Sequence, residues 1–333
     1  MTAADLNGLF AALAVAVKKR RRWVLAVGQC VAIIGCLKFG LALLEAVRED
    51  GGRAVDARSY WLAGEHVLHN LPLYADVRIG DPGAYRYTPT FAVLTVPFSL
   101  LPELVFTWGY RIACLLCLRY LVGSWLATGW ALLLPPVSIE LIALNVTFPI
   151  AALGRWSLRR SNSTTAPMLI AFATSVKFGS VFLFPYLWLR SPAMRRPLLI
   201  GTAVVVAVTA VHFIAAPQVW AAFVRSMAQQ SQSVNNAPFV GDQLLFLVPS
   251  TLGDFIVRLA IATAMTAIAI NRGWTWLVFI AATIAVPTLW LARLAPLVGV
   301  PRLAWEDWRG RQSKSPKESS SARGSQPIGP LPS

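Results

Sequence analysis

Apolar stretches of membrane length alternate along this chain with short basic clusters and one long polar, aromatic insert. The first uninterrupted apolar run, Trp23 to Val47, is long enough to span a bilayer as a helix and is predicted to remain as an anchor. Residues 3–17 are apolar but too short to span, and with the basic run Lys18 to Arg22 behind them they read as an interfacial helix. The insert, residues 50–87, combines an acid, paired aromatics and prolines between two hydrophobic regions, and long loops of that kind usually carry chemistry. Three regions follow from this pattern: an N-terminal segment 1–22, a multi-pass membrane domain 23–305, and a disordered cytoplasmic tail 306–333 that lacks hydrophobic content.

Composition sharpens the class. With 56% hydrophobic residues, 14% charged and a mean hydropathy of +0.58, the chain is an all-α integral membrane protein. The net charge of +15 would point to nucleic acid in a soluble protein. Here the cations cluster between apolar spans, at Lys18 to Arg22, Arg155 to Arg160, Arg190 to Arg196 and from Arg302 onward, which is the positive-inside pattern. Membrane lipid is the expected partner, and nucleic acid is not. The four cysteines lie in apolar segments; Cys114 and Cys117 read as small apolar residues one turn apart. His66 and His69 follow Glu65 on a helix-like run, but no third ligand stands at metal-binding spacing, so neither metal nor cofactor is expected.

Charge parity predicts broken helices. The clusters at 155–160 and 190–196 should share the cytoplasmic face, yet a single apolar stretch, 165–190, separates them. Two short helices meeting inside the membrane satisfy both, with a turn near Val176-Lys177-Phe178-Gly179. The stretch 274–300, bounded by Arg272 and Arg302, repeats the argument with a turn at Val286-Pro287-Thr288. Irregular backbone at membrane depth is tolerated only where it lines a cavity or is buried in protein. Both turns should therefore face a cavity on the side of the 50–87 loop. Between 88 and 155, Pro97, Pro102, Pro135 and Pro136 allow several divisions.

The run D-A-R-S-Y-W-L-A (56–63), then N-L-P-L-Y (70–74) and Y-R-Y-T-P-T-F-A-V-L-T-V-P-F-S-L-L-P (85–102), resembles the first outer loop and second membrane segment of bacterial mannosyltransferases of glycosyltransferase family 87. P-P-V-S-I-E-L-I-A-L-N-V-T-F-P-I (135–150), A-P-M-L-I-A-F-A-T-S-V-K-F (166–178) and G-D-Q-L-L (241–245) are similar to later elements of that family, in the same order. Leu144 stands where the family usually has glycine, Phe178 where it has proline, Asp242 and Leu244 where it has asparagine and serine, and Ala292-Arg293 where a histidine is often found. The resemblance implies a polytopic helix bundle of the GT-C class with an outer-face loop and short broken-helix hairpins. It also implies a multi-pass enzyme of the bacterial plasma membrane, acting at the outer face. Its donor would be a polyprenol-phosphate sugar, with mannose expected, and its acceptor a hydroxyl of a glycolipid or glycan. A lipid-linked-sugar flippase, or an inactive scaffold relative, are the alternatives.

Such a transfer needs a base for the acceptor hydroxyl and cations or dipoles for the departing phosphate. The resemblance makes Asp56 the candidate base; the alternative is a helix N-cap, since Asp56 precedes the helix-like run 57–69. Lys177, at a predicted helix break, is the candidate phosphate ligand, because a lysine in the bilayer costs ~3 kcal/mol unless it has a partner or a function. Arg58 and Arg86 are further candidate phosphate contacts. Tyr60, Tyr87, Glu140, Asn145, Asp242 and Gln243 are expected to line the substrate cavity, with an arginine-paired acid as the alternative for Glu140 and an interfacial aromatic belt for the tyrosines.

Overall fold

Nothing in Arg21–Asp50 interrupts an apolar helix, and the first crossing (α1) is one continuous element of 30 residues. The computed structural model describes residues 21–74, 85–159, 164–234, 251–286 and 291–312. The expected interfacial helix at 3–17, Asp242, Gln243 and the Pro287–Thr288 part of the second predicted turn lie outside the described residues. The protein is an all-α polytopic membrane protein: among the described residues four helices are long and apolar enough to cross a bilayer, or five when the pair Trp125–Ala131 and Pro135–Ala143, bent by 95°, is counted as one broken span.

After α1, Gly51 and Gly52 turn the chain with positive φ into α2 (Val55–Leu68), which packs along α3 (Pro89–Ser99). Their approach is close: a Cβ at Gly64 would lie 2.8 Å from the Thr95 carbonyl. The second long crossing, α4 (Glu103–Val122), ends at Gly123 in the left-handed conformation that stops helices. α5 (Trp125–Ala131) crosses α1 through small residues; a Cβ on Gly35 would stand 1.9 Å from the Gly129 carbonyl oxygen. Lys38 on α1 donates to the Leu133 carbonyl at 2.9 Å, so it faces the break between α5 and α6 (Pro135–Ala143).

Three hairpins follow. The first joins α6 to α7 (Thr147–Arg159), and the second joins α8 (Thr165–Val176) through a 3₁₀ segment, Phe178–Phe182, to α9 (Leu183–Arg190). α10 (Arg195–Ala215), the surface helix α11 (Pro217–Val234) and the crossing α12 (Thr251–Arg272) lead to the third, α13 (Thr275–Ile284) and the 3₁₀ segment Leu291–Gly299. The feet of all three share one face. At the foot of α7, Arg159 donates to Thr275 Oγ1 at the start of α13 (3.0 Å), and at the foot of α9, Arg190 bonds the Asn271 carbonyl at the end of α12 (2.7 Å). At ~1.5 Å per residue, α6, α8 and α13, of 9, 12 and 10 residues, are roughly 14, 18 and 15 Å long, well short of a ~30 Å hydrocarbon core. Their tips therefore meet inside the protein. The predicted break at Lys177 is present, with α8 ending at Val176 and Lys177 extended (φ −143°, ψ 109°).

The tail boundary needs correction. α14 (Val300–Gln312) carries the chain as helix to residue 312, because Glu306 and Asp307 are fixed by cations of α7 and by α13. The 306–312 stretch, expected to be disordered, is ordered by these ion pairs.

Candidate active site

The tips of the hairpins bring distant polar residues together. α6 ends at Leu144, which adopts φ +59° and ψ 50° although it carries a side chain; the left-handed turn that glycine would make easily is held by burial. That turn projects Asn145 and Thr147 towards Lys177 and towards Asp56 on α2. Asn145 bridges them: its Nδ2 donates to Asp56 Oδ2 at 2.9 Å, and its Oδ1 accepts from Lys177 Nζ at 3.2 Å and from the Thr147 hydroxyl at 3.0 Å. The Lys177 ammonium also donates to Thr147 Oγ1. An amide is suited to this place, since it offers a donor to the carboxylate and an acceptor to the ammonium. The bridge keeps a carboxylate and a cation near each other without a direct ion pair.

Asp56 is not the N-cap. Helix α2 begins at Val55 with Ala54 as its cap, so Asp56 lies inside the first turn and its carboxylate is directed to Asn145. It is half-buried, whereas Asn145, Thr147 and Glu140 are buried. Glu140, expected in the cavity or in an arginine pair, is 2% exposed. Its electrostatic neighbours are Lys177, Arg293 and Asp56, and its Oε1 has no hydrogen-bond partner among the described residues.

An aromatic wall closes the site on the loop side. The phenols of Tyr60 and Tyr87 are 2.9 Å apart, Tyr74 donates to the Tyr87 carbonyl at 2.6 Å, and the rings of Tyr60, Tyr87, Phe91 and Tyr110 meet edge to face or tilted. Burial, and then the Asp56 carboxylate, push the Tyr87 phenol up to about 12, with Arg293 and the bond to Tyr60 pulling the other way. Burial also holds Tyr60 well above the usual phenol range, followed by the charges of Tyr87 and Asp56. Both phenols therefore stay protonated near neutral pH and serve as hydrogen-bonding walls.

One predicted residue is drawn elsewhere: Arg58 is half-exposed on α2 and faces Glu103 at 3.6 Å, alongside Arg53 at 3.5 Å. Arg86 is exposed between Tyr85 and Tyr87. His66 bonds the Pro72 carbonyl, His69 pairs with Glu65, and no metal-ligating group of three occurs among the described residues.

Beneath Lys177 lies a cavity of about 50 Å³. Thr147, Lys177, Ser180, Thr283 and Arg293 supply its polar lining, and Ile150, Leu183, Phe279, Val286 and Pro296 most of its apolar wall. Arg293, on the 3₁₀ segment Leu291–Gly299, was not legible as a site residue. It stands close to a basic stretch that reads as cytoplasmic, and the available signal was its place, inside the predicted hairpin, where the family often has a histidine. A second omission is the Asp254–Arg258 pair of α12 (2.6 Å), buried in an apolar helix. Arg258 also bonds the Ile284 carbonyl (3.2 Å) and that of Val286, so it caps the end of α13 and fixes the third tip. An i, i+4 acid–base pair inside an apolar run was its signal.

A sequence model of glycosyltransferase family 87 matches residues 85–306, about two thirds of the chain, and Asp56 lies upstream of the matched stretch. No curated protein and no solved structure matches. With the matched span covering Tyr87, Glu140, Asn145, Lys177 and Arg293, the chain belongs to glycosyltransferase family 87.

Proposed function

We propose that this glycosyltransferase moves a hexose, with mannose as the expected sugar, from a polyprenol-phosphate donor to an acceptor hydroxyl at the outer face of a bacterial plasma membrane. The observation that carries the reading is the line Asp56–Asn145–Lys177, an acid and a cation held on either side of one amide. Asp56 accepts the proton of the acceptor hydroxyl as its oxygen attacks the anomeric carbon; the bond to the phosphate oxygen breaks on the opposite side, and the resulting phosphate charge falls to Lys177. One displacement of this kind inverts the anomeric centre. Asn145 sets the spacing between base and cation, and the apolar wall of the cavity suits the lipid end of such a donor. The basic feet of the hairpins support a cytoplasmic position for that face, which puts Asp56 and the tips outside.

The test is transfer from radiolabelled polyprenol-phosphate mannose to membrane acceptors in vesicles containing wild type or Lys177→Met. Met has similar length and suits an apolar setting, so the variant should fold while losing most donor use. Transfer by Lys177→Met at the wild-type rate and donor affinity would remove Lys177 from the reading. Donor movement across the bilayer without transfer would replace the enzyme by a flippase.

A further inference from the structure

We infer that Arg293 is a second phosphate-holding cation, acting with Lys177 from the facing hairpin tip; this rests on the polyprenol-phosphate reading above. The two cations come from different hairpins, Lys177 from the α8–α9 tip and Arg293 from the 3₁₀ segment after α13, and they line one cavity. Arg293 repels Lys177, and its own electrostatic neighbours are Tyr87, Glu140, Asp56 and Tyr60. Neither cation has a carboxylate in ion-pair contact among the described residues, in contrast to Arg155, Arg159, Arg258 and Arg302, each of which has one. Two cations turned towards the same small space inside a membrane protein repel each other unless an anion lies between or beside them. Glu140, buried and with Oε1 unpartnered, and Asp56 supply opposing charge nearby, but neither is in ion-pair contact with Lys177 or Arg293 among the described residues.

An anion held by this pair would enter the cavity, lie beside its apolar walls and offer several oxygens to an ammonium and a planar guanidinium. A phosphate ester on a lipid meets all three requirements. Lys177 then contributes a point charge and Arg293 a two-pronged donor, so the phosphate is fixed in orientation as well as in position.

The experiment measures binding of undecaprenyl phosphate to the purified full chain in detergent, by thermal stabilisation and by competition with labelled donor. Wild type, Arg293→Gln and Arg293→Lys are compared, with the unfolding temperature of each in the absence of lipid as the fold control. Arg293→Gln should bind ~10-fold or more weakly, as expected on losing a charge-assisted bond, and Arg293→Lys should recover part of that loss. If Arg293→Gln fails to fold, Arg293→Lys alone carries the test: weaker binding at an unchanged unfolding temperature supports the inference, and wild-type binding overturns it. Arg293→Gln that folds and binds like wild type overturns the role of Arg293 and leaves the donor reading standing. Absence of saturable binding by wild type overturns both.

Discussion

Asp56 occupies the first turn of α2 without capping it, and this separates two roles that the same residue type usually confounds. Because Ala54 is the cap, replacing Asp56 removes no cap bond, and stability should change by less than ~1 kcal/mol in either Asp56→Asn or Asp56→Ala. Turnover should fall by ~10²-fold or more in both, on the scale of general-base catalysis. Transfer rate and thermal unfolding in detergent, measured on the same preparations, check this; an Asn variant with wild-type turnover would pass the role of base to Glu140. At this scale much of the site was legible. Asp56, Asn145 and Lys177 each stand out as polar residues at a loop or break in an apolar chain. Thr147 was visible only within the stretch 135–150 that resembles the family, and Arg293 was hidden by its nearness to the cationic stretch that begins at Arg302.

Hairpins are the elements that make the site, and their packing depends on small residues. Gly179, just after Lys177, lets the 3₁₀ segment Phe178–Phe182 lie against α13: a Cβ there would stand 2.2 Å from the Ala282 carbonyl oxygen. Backbone cannot retreat as a flexible side chain does, so Gly179→Ala should cost ~1–3 kcal/mol and displace the Lys177 tip. The expected result is a lower unfolding temperature with an even larger loss of donor binding, read by thermal shift with and without undecaprenyl phosphate; unchanged binding would show that the tip tolerates the shift. The break at Lys177 was predictable because a charge and a glycine interrupt an apolar run and parity demands a turn there. The division of residues 88–155 was not, since four prolines permit several solutions and only packing of α5 on α1 selects one.

Across the whole molecule, the face opposite the site is tied by charge. Glu306 of α14 meets Arg155 at 2.5 Å, Arg159 at 2.8 Å and Arg302 at 3.0 Å, while Asp307 meets Arg159 at 3.1 Å and accepts from the Thr275 backbone N–H at 2.7 Å. Arg155 is buried, so Glu306→Ala leaves a buried guanidinium without its acid. Breaking such a pair costs ~3–5 kcal/mol, and the partial exposure of Glu306 lowers the expectation to about 2–3 kcal/mol. Chemical or thermal unfolding in detergent checks the loss, which Glu306→Gln should reproduce only in part. Orientation is tested separately: in a cysteine-free background, an impermeant thiol reagent applied to intact cells should label Arg53→Cys and spare Gln312→Cys. The reverse pattern would invert the proposed sidedness. The first crossing was readable from hydropathy alone, whereas this ion-paired clasp was not, because its acids sit in a stretch whose composition resembles a solvated tail.

The convergence of tips also dictates when the protein becomes competent during its synthesis. Asp56 leaves the ribosome first, Asn145 and Lys177 follow, and the segment bearing Arg293 emerges more than a hundred residues after Lys177. Helices of 9 to 13 residues cannot hold a transmembrane position alone, so each hairpin must wait beside its predecessors until the next one docks. The last to arrive, α13 with its 3₁₀ partner, is also the one whose foot α14 locks through Asp307. Chains released before that point hold Asp56, Asn145 and Lys177 but an open cavity. An unfinished chain therefore leaves Thr147, Lys177 and Ser180 open on the side that Phe279, Thr283 and Val286 of the third hairpin cover in the finished one.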